Sequence, residues 1–428
     1  MWTIAALLLV GAGGAALSTP DSSPTLFVDE ASVGGQCSDS RSARAAATPK
    51  RPLCSIQRAL ILARRGWRVI VREGSYPPLA VSSVQGDDGY LTIEGFADER
   101  VSIPAVKLEP EVSHLRLRRL VVGPGVADTI FAIHVVEGGA HHLAIEDSVI
   151  ETEGAAAIGL RWGTREVLIE GNVIRPANGG NGINFTSTSC APGSPACDPR
   201  APISDVTIRG NEIDLQGSGT DAIRPANFRR LVVEGNDITG VVEDGSHNDV
   251  LQVVWGGRHL DFNHNYVHDN KGQGFFIDDG RVVDARVENN LFVRNGLGSQ
   301  IQIGETEGLR LVNNTVWDNS RGVLLRAGVK RAVVRHNVFE SMNVENPPGN
   351  LPQQINQDHN LIVGGWNWGA RGPHDLRVRP PFVDRAKGDY RLEAGGPSSQ
   401  VACRRGADLA KMGAFAQSER AVVASQGC

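Results

Sequence analysis

The sequence of 428 residues is poor in aromatic side chains, which make up only 5 % of it. Its lysines and arginines are scattered with no block of like charge, and its formal net charge is −5. This pattern gives no basis for nucleic acid or an acidic membrane surface as a partner. No stretch after the N-terminus is apolar for long enough to cross a bilayer, so we expect no membrane span in the mature chain.

Motifs of several common enzyme classes are missing as well. The sequence contains no P-loop, no dinucleotide-binding fingerprint, no zinc signature and no nucleophile elbow. It is rich in glycine, with 50 residues, and 41 % of its residues are hydrophobic. This composition is typical of a chain with many turns and a long, thin core of small aliphatic side chains.

The first 18 residues have the pattern of an export signal. An apolar run from Ile4 to Val10 is followed by the Gly, Ala and Ser residues of a cleavage zone. No Lys or Arg precedes this run, and a short buried helix or strand is the alternative. We predict a signal peptide over residues 1–18 and a secreted or periplasmic location.

Six cysteines form three pairs that are close in sequence: Cys37 with Cys54, Cys190 with Cys197, and Cys403 with Cys428. An even number of cysteines behind a signal peptide favours disulfides over free thiols. No pair has the CxxC spacing of a zinc site, which makes metal binding the weaker alternative.

A short motif recurs along the chain, in which an asparagine is followed two residues later by an aliphatic or aromatic residue. The gaps between successive asparagines are 39, 25, 29, 25, 24, 23 and 23 residues, and the longest gap contains the Cys190–Cys197 loop. Asp147 lies 25 residues before the first of them. The repeated asparagines are Asn172, Asn211, Asn236, Asn265, Asn290, Asn314, Asn337 and Asn360.

Each period contains two or three apolar runs that are too short for helices and are bounded by Gly, Asn and Asp. A unit of short strands cannot bury its own face, so it must stack on its neighbours. Leucine is too sparse for a leucine-rich repeat, and a propeller blade would need a period of about forty residues. Asparagine tolerates the left-handed backbone of a tight bend, and its amide can bond to the same residue one rung away.

In this repeat the sequence resembles the pectate-lyase-like family of right-handed parallel β-helices, over roughly residues 25 to 415. The resemblance implies an all-β chain, a single right-handed parallel β-helix solenoid with a short N-terminal capping helix. We expect about ten rungs between Val112 and Val363, with the asparagines stacked at one corner. The predicted division is a cap with the first rungs over 21–110, the repeats over 111–370 and a C-terminal cap over 371–428.

Segments at both ends add to the resemblance. CSIQRALILARRGWRVIVREGSYP is similar to the family's opening helix, strand and Gly-x-Tyr turn, although Gly66-Trp67 replaces the usual Gly-Asp. LAKMGAFAQ resembles the closing segment, with Lys411 in place of an Asp. The opening helix would cap the first rung with one apolar face, formed by Ile56, Ala59, Leu60 and Ala63.

Counting back from each asparagine aligns the preceding strands at polar positions, eleven to thirteen residues earlier. Side chains alternate along a strand, so the apolar neighbours Ile223, Leu251, Ile277 and Ile301 should point into the core. With rungs about 4.8 Å apart, we predict one outward column formed by Arg224, Gln252, Asp278, Gln302 and Arg326.

The middle of this column is dense in acid–base groups, and we expect three consecutive rungs to bring them within about 10 Å. The alternative is the ordinary polar outer face of any β-helix. The predicted catalytic residues are His247, Asp249, Arg224, Asp278 and Arg326. The predicted substrate-binding residues are Asp221, Gln252, Lys271, Gln273, Asp279, Gln302 and Trp255.

These residue types suit cleavage of an acidic, uronate-containing polysaccharide by β-elimination. Arg224, Arg326 or a bound Ca²⁺ would neutralise the uronate carboxylate. His247 or Lys271 would remove the C5 proton, with Asp249 orienting the imidazole. The sequence establishes no cofactor beyond this alternative of Ca²⁺, and we expect a monomer.

Two branches of the family resemble parts of this region. GSHND followed by GQGFF is similar to the alginate epimerases, although Gln273 replaces their second histidine. SRGVLLRAGVKRAVVRHNVF is similar to the segment of alginate and chondroitin lyases that bears the catalytic arginine, which falls on Arg326. Glu305 stands where those lyases have their catalytic lysine, so the same elimination could not run unchanged.

Two other functions stay open. An inverting glycoside hydrolase of the polygalacturonase type could use Asp249, Asp278 and Asp279 as its carboxylates, but its Gly-His-Gly and Arg-Ile-Lys segments are absent. A non-catalytic carbohydrate-binding or adhesion β-helix would use tryptophans as stacking platforms. These are Trp162, Trp255, Trp366 and Trp368.

We predict the disulfides Cys37–Cys54, Cys190–Cys197 and Cys403–Cys428. Each would fix a cap or a loop that stacking does not hold, and would contribute about 2–4 kcal/mol to the free energy of unfolding. Peptide mapping of the unreduced protein measures the pairing. A cross-link such as Cys54 with Cys190 would contradict the prediction.

Overall fold

The structure, a computed structural model, describes most of the chain after the predicted signal peptide. The described ranges are 23–124, 130–136, 138–185, 202–217, 220–242, 248–277, 280–296, 298–345, 352–366, 371–393 and 412–414. Within them the fold is almost entirely parallel β-structure, in which each strand pairs with the strand one turn away along the solenoid. The predicted right-handed parallel β-helix of about ten rungs is confirmed.

Three parallel sheets run along the solenoid. The first sheet contains Thr25–Val28, Arg68–Val71, Leu91–Gly95, Ser113–Arg118, His141–Glu146, Arg165–Glu170, Ile203–Arg209, Ala226–Glu234, the second half of Asp249–Asn263, Val282–Glu288, Thr306–Val312, Lys330–Arg335 and Gln353–Asp358. The second contains Gly74–Ser75, Val101–Ile103, Val121–Val122, Val149–Thr152, Val173–Pro176, Glu212–Asp214, Asp237–Thr239, Tyr266–His268, Leu291–Val293, Thr315–Trp317, Val338–Phe339 and Leu361–Ile362. The third contains Leu79–Val81, Val106–Leu108, Phe131–Val135, Ala156–Leu160, Asn181–Phe185, Ile223–Arg224, the first half of Asp249–Asn263, Gln273–Ile277, Ser299–Ile303, Arg321–Leu325 and Met342–Val344.

The N-terminal end of the solenoid is covered by the helix Ile56–Leu62. Ser55 caps it, because its side-chain oxygen accepts a hydrogen bond from the backbone N–H of Arg58 at 3.1 Å. Its predicted apolar face is buried in the core. The disulfide Cys37–Cys54 is present just before this helix, whereas Cys190, Cys197, Cys403 and Cys428 lie outside the described residues.

One continuous hydrophobic core fills the interior between the three sheets. Strands that alternate buried and half-exposed residues supply it, as in Ser113–Arg118. The four predicted inward neighbours, Ile223, Leu251, Ile277 and Ile301, are all fully buried in it. After the last rung in sequence, Phe382–Asp384 and Asp389–Leu392 form an antiparallel pair around the 3₁₀ turn Arg385–Lys387, and this pair packs on the second sheet at Trp317.

The predicted stack of asparagines is confirmed as a ladder of buried hydrogen bonds. At Asn290 the backbone N–H and the side-chain Nδ2 both donate to Asn314 Oδ1, at 3.1 and 3.0 Å. The same Nδ2 also donates to the carbonyl oxygen of Phe262 at 2.8 Å. This pattern repeats from Asn172 to Asn360 and ends at Asp375 Oδ1, which accepts from the backbone N–H of Asn360 at 2.8 Å.

The left-handed backbone at this corner belongs to the residue before each asparagine, which differs from the expectation. Gly171 has a φ of 66°, His264 of 54° and His336 of 58°. The asparagine itself stays in ordinary geometry, and its side chain points inward to bond along the stack. This separation of tasks explains the recurring pairs Gly-Asn, Asn-Asn and His-Asn.

A second, shorter ladder was not predicted. The backbone N–H of Asn270 donates to Asn295 Oδ1 at 3.1 Å, and that of Asn295 donates to Asn319 Oδ1 at 2.9 Å. The ladder ends at Glu340, whose Oε2 accepts from the backbone N–H of Asn319 at 2.9 Å. Burial raises the pKa of Glu340, and this effect outweighs the hydrogen bonds from the backbone of Asn319 and Asp318, which lower the pKa.

We expect Asn290→Ala to lower the free energy of unfolding by roughly 2–5 kcal/mol, because buried donors on Asn265 lose their acceptor. The matched control is Asn356→Ala, which removes an exposed side chain that only accepts from Arg335 at 2.8 Å. It should cost no more than about 0.5 kcal/mol. Denaturant unfolding measures both, and equal losses would contradict the ladder's role.

Candidate functional site

The outer face of the third sheet carries one column of residues in register from rung to rung. Arg224 and Gln252 are neighbours in it, with Arg224 Nε donating to Gln252 Oε1 at 3.4 Å. Gln302 also lies in this column, as the count from the asparagines predicted. The observed column is Lys107, His134, Gly159, Asn184, Arg224, Gln252, Phe276, Gln302, Leu324 and Asn343.

Two predicted members of the column are wrong. Phe276 pairs with Gln252 where Asp278 was expected, and Leu324 pairs with Gln302 where Arg326 was expected. A first-sheet strand lies between each third-sheet strand and the following asparagine, and the turn between these two strands varies in length, so counting residues shifts the alignment by up to two positions. Arg326 comes after the end of the strand Arg321–Leu325, and Asp278 lies outside the described residues.

Arg326 follows the strand Arg321–Leu325 and is already paired. Its Nε donates to Glu345 Oε2 at 2.6 Å. Asp278, Asp279 and His247 lie outside the described residues, so their approach to Arg224 stays a prediction.

Arg224 is oriented by a carboxylate on its own rung. Its Nε lies 3.3 Å from Asp221 Oδ2, and the other carboxylate oxygen of Asp221 accepts the backbone N–H of Asp249 at 3.0 Å. Asp221 is nearly buried, whereas the guanidinium of Arg224 stays half-exposed on the outer face. Asp221 thus orients the guanidinium of Arg224 and also hydrogen-bonds to the backbone of the next rung.

Asp249 does not lie on the outer face, so its prediction as a catalytic residue on that face is wrong. It is fully buried. It lies three residues before the outward Gln252 and two before the core residue Leu251, so strand alternation places it on the inner side. Gln273 is its partner in the next rung and is half-buried.

The other predicted binding residues are spread along the solenoid. Lys271 is exposed in the turn before the strand Gln273–Ile277. Trp255 is half-buried at the corner after the third sheet, with a left-handed backbone at φ 58°.

Trp366 is covered on one face by Arg371, whose guanidinium carbon lies 5.3 Å from the ring centre. Trp162 is half-buried, and Trp368 lies outside the described residues.

A basic cluster in the earlier rungs escaped the sequence analysis. Lys107 and His134 are neighbours in the outer column, and Arg161 Nε donates to His134 Nε2 at 3.3 Å. The guanidinium of Arg161 also lies over the ring of Phe131, 5.1 Å from its centre. The sequence did contain a signal for His134. It lies thirteen residues before Asp147, so counting back from Asp147, as from each asparagine, would have placed it in the outer column.

This cluster borders an open cleft of about 480 Å³ on the third sheet. Lys107, Phe131 and His134 line one part of it, and the apolar side chains of Leu79 and Val106 line another. Lys107 Nζ pairs with Glu109 Oε1 at 2.7 Å. The cleft combines a lysine, a histidine, an aromatic ring and aliphatic surface, a combination that suits an anionic ligand with an apolar side.

Two histidine clusters lie away from this face, and both were missed. His114, His141 and His142 meet on the first sheet, and Asp358, His359 and His374 meet at the C-terminal end of the asparagine ladder. Burial, with the nearby cation Arg65, lowers the pKa of His114. Neither group offers the all-oxygen set of ligands that Ca²⁺ prefers.

The comparisons with known proteins agree with this fold. A protein-family sequence model described as "Right handed beta helix region" matches residues 132–303. A variant of the PL6 family alginate lyase AlyGC is 13 % identical, has a TM-score of 0.53 and is matched over 80 % of this chain and 55 % of its own. A protein described as a glycoside hydrolase is 10 % identical, has a TM-score of 0.50 and is matched over 77 % of this chain and 96 % of its own.

The chain is therefore a right-handed parallel β-helix protein, and its predicted resemblance to that group is confirmed for the fold. It spans about half the length of the alginate lyase chain. A search of curated protein sequences found no match. In the part of the chain that the structure describes, no helix is long and apolar enough to cross a membrane.

We expect Asp221→Ala to lower the free energy of unfolding by about 1–3 kcal/mol, since the buried N–H of Asp249 loses its acceptor. Asp221→Asn keeps an oxygen at that position and removes only the ion pair to Arg224. It should therefore stay within about 1 kcal/mol of the unchanged protein. Thermal or urea unfolding measures both variants, and an equal loss would show that the charge, not the acceptor, matters.

Proposed function

We propose that the protein is an exported enzyme that binds an acidic, uronate-containing polysaccharide along the outer face of the third sheet and cleaves it by β-elimination. The observation that carries this proposal is the row of basic residues on that face. Lys107, His134 and Arg224 belong to the outer column, and Arg161 donates a hydrogen bond to His134. A polyuronate presents one carboxylate per sugar, so a row of basic side chains on a stiff sheet complements its charge.

Arg224 is the residue best placed to neutralise the carboxylate of the sugar that reacts. Its guanidinium is half-exposed, and Asp221 and Gln252 hold it from two rungs. Neutralising the carboxylate makes the C5 proton more acidic, because the negative charge that develops in the transition state is shared with the cation. Arg326 is a weaker candidate, since it lies outside the outer column, in which Leu324 is the neighbour of Gln302.

The elimination itself needs a base and an acid on the same face. A base removes the C5 proton, the electron pair of that C–H bond forms the C4–C5 double bond, and the C4–O4 bond breaks as an acid protonates O4. We assign the base to His247, which precedes the strand Asp249–Asn263 in the sequence and lies outside the described residues. The cleft at Lys107 and His134 then binds the carboxylate of a sugar farther along the polymer, because three rungs of about 4.8 Å separate His134 from Arg224.

The likeness to an alginate lyase fold is compatible with this proposal, as is the likeness to a glycoside hydrolase. The burial of Asp249 weakens the inverting-hydrolase alternative, because a catalytic carboxylate must reach the scissile bond. A non-catalytic binding protein would use the same cationic face without cleaving the chain.

We expect incubation with a panel of uronate polysaccharides to release products with the ultraviolet absorbance of a C4–C5 double bond. Arg224→Ala and His247→Ala should each lower kcat at least about 100-fold, while Tm stays nearly unchanged. His134→Ala should mainly raise KM. Because Arg224 supplies the positive charge, activity should persist in EDTA.

The matched control is Arg310→Ala, which removes an exposed first-sheet arginine paired with Glu288 at 2.7 Å and should leave turnover unchanged. New reducing ends without the absorbance would establish the hydrolase instead. Binding without any product would establish the carbohydrate-binding protein. Loss of activity in EDTA, restored by Ca²⁺, would transfer the neutralising role from Arg224 to the metal.

A further inference from the structure

We propose that His114, His141, His142 and Glu166 form a binding site for a divalent transition metal, with Zn²⁺ as the ion that suits it best. The site lies on the outer surface of the first sheet, on a different face from the cationic column. It is independent of the proposed polysaccharide activity.

Three of these residues are stacked by a repeated backbone feature. His114, His142 and Glu166 are each the second residue of consecutive first-sheet strands, and their φ angles are 57°, 51° and 56°. The residues that flank them pair in register. Equivalent positions in parallel strands are about 4.8 Å apart, so these three side chains leave the sheet one above the other.

His141 joins this stack although it is the immediate neighbour of His142. Two adjacent residues in an extended strand would point to opposite faces. The left-handed backbone at His142 interrupts this alternation, and the two rings come together with their Nδ1 atoms 2.7 Å apart. Both side chains are half-buried, which leaves them open to an ion from solvent.

The donor atoms are close enough to reach a single ion once small side-chain rotations replace the contacts between them, since ligand atoms at the Zn²⁺ distance in a tetrahedron lie about 3.3 Å apart. One ring nitrogen from each of the three histidines lies within 4.8 Å of the others. Glu166 Oε2 lies 2.8 Å from His142 Nδ1, which places a carboxylate beside the imidazoles. The ring of His114 is stacked on that of His142 with 4.3 Å between centres, and within the described residues its buried Nδ1 has no hydrogen-bond partner.

The set of ligands selects the kind of metal. Three imidazoles and one carboxylate complete the four-coordinate shell that Zn²⁺ favours, with metal–nitrogen distances of about 2.0–2.1 Å. Ca²⁺ and Mg²⁺ prefer oxygen ligands and would bind poorly here. Arg65 and Arg165 lie close enough to His114 and His141 to weaken the attraction for a cation, and the carboxylate of Glu166 offsets part of this.

The same first-sheet column offers a matched comparison elsewhere. His259 also has a left-handed backbone, at φ 58°, and its Nδ1 lies 3.3 Å from Asp284 Oδ2. It thus has the backbone position and the carboxylate of His142. It does not belong to either three-residue cluster found among the described residues.

The test is Zn²⁺ binding by the full chain, prepared without a polyhistidine tag. We expect the protein to retain Zn²⁺ after dialysis, measured by elemental analysis, and His142→Asn to retain about one equivalent less. Asparagine tolerates left-handed backbone, so the variant should keep its circular dichroism spectrum. His259→Asn, the control, should retain as much Zn²⁺ as the unchanged protein.

A second readout ties the lost ion to this site. Cu²⁺ bound in place of Zn²⁺ should show nitrogen hyperfine coupling in its electron paramagnetic resonance spectrum, and His114→Asn or His141→Ala should reduce the number of coupled nitrogens. The proposal is overturned if the unchanged protein retains no Zn²⁺. It is equally overturned if His142→Asn and His259→Asn bind the same amount, because bound zinc would then belong to another cluster, such as Asp358, His359 and His374.

Discussion

The asparagine ladder is the interaction on which the rest of the solenoid depends. At each turn the chain bends sharply, and the bend leaves backbone N–H and C=O groups inside the protein. The side-chain amides of the stacked asparagines satisfy both kinds of group: Asn290 donates to the carbonyl oxygen of Phe262 and accepts from the backbone N–H of Asn265. Because every rung is bonded to the next at this corner, the registers of the sheets that meet there are fixed.

The second consequence of the ladder is a rigid outer surface. Side chains on consecutive rungs are held at the rung spacing, so a residue acts together with its neighbours above and below. Arg224 is oriented in this way by Asp221 on its own rung and by Gln252 on the next. A polymer with one charge per unit is the natural partner of such a periodic surface, which links the architecture to the proposed function.

The left-handed residues of the first sheet extend the same principle to a different face. From His114 onward, the residue at the equivalent register position of each first-sheet strand has a positive φ, and most of these side chains are charged or imidazole groups. Ion pairs join some neighbours in it, such as His259 with Asp284. At His142 two further imidazoles and Glu166 come together instead, and the local chemistry changes from an ion pair to a set of metal ligands.

The sequence by itself determined the repeat, the parallel β-helix, the inward residues such as Leu251 and Ile301, and the corner where the asparagines stack. These features follow from spacing that is nearly constant and from hydrogen bonds that only asparagine makes well. The tertiary structure alone decided which residues share the outer column. The turns between the third and first sheets differ in length, so Phe276 lies beside Gln252 where the count had placed Asp278. Asp249 is buried on the inner side of its strand. The tertiary structure also decided the meeting of His114 with His141 and His142, because a left-handed residue breaks the alternation from which a sequence pattern assigns side chains to faces.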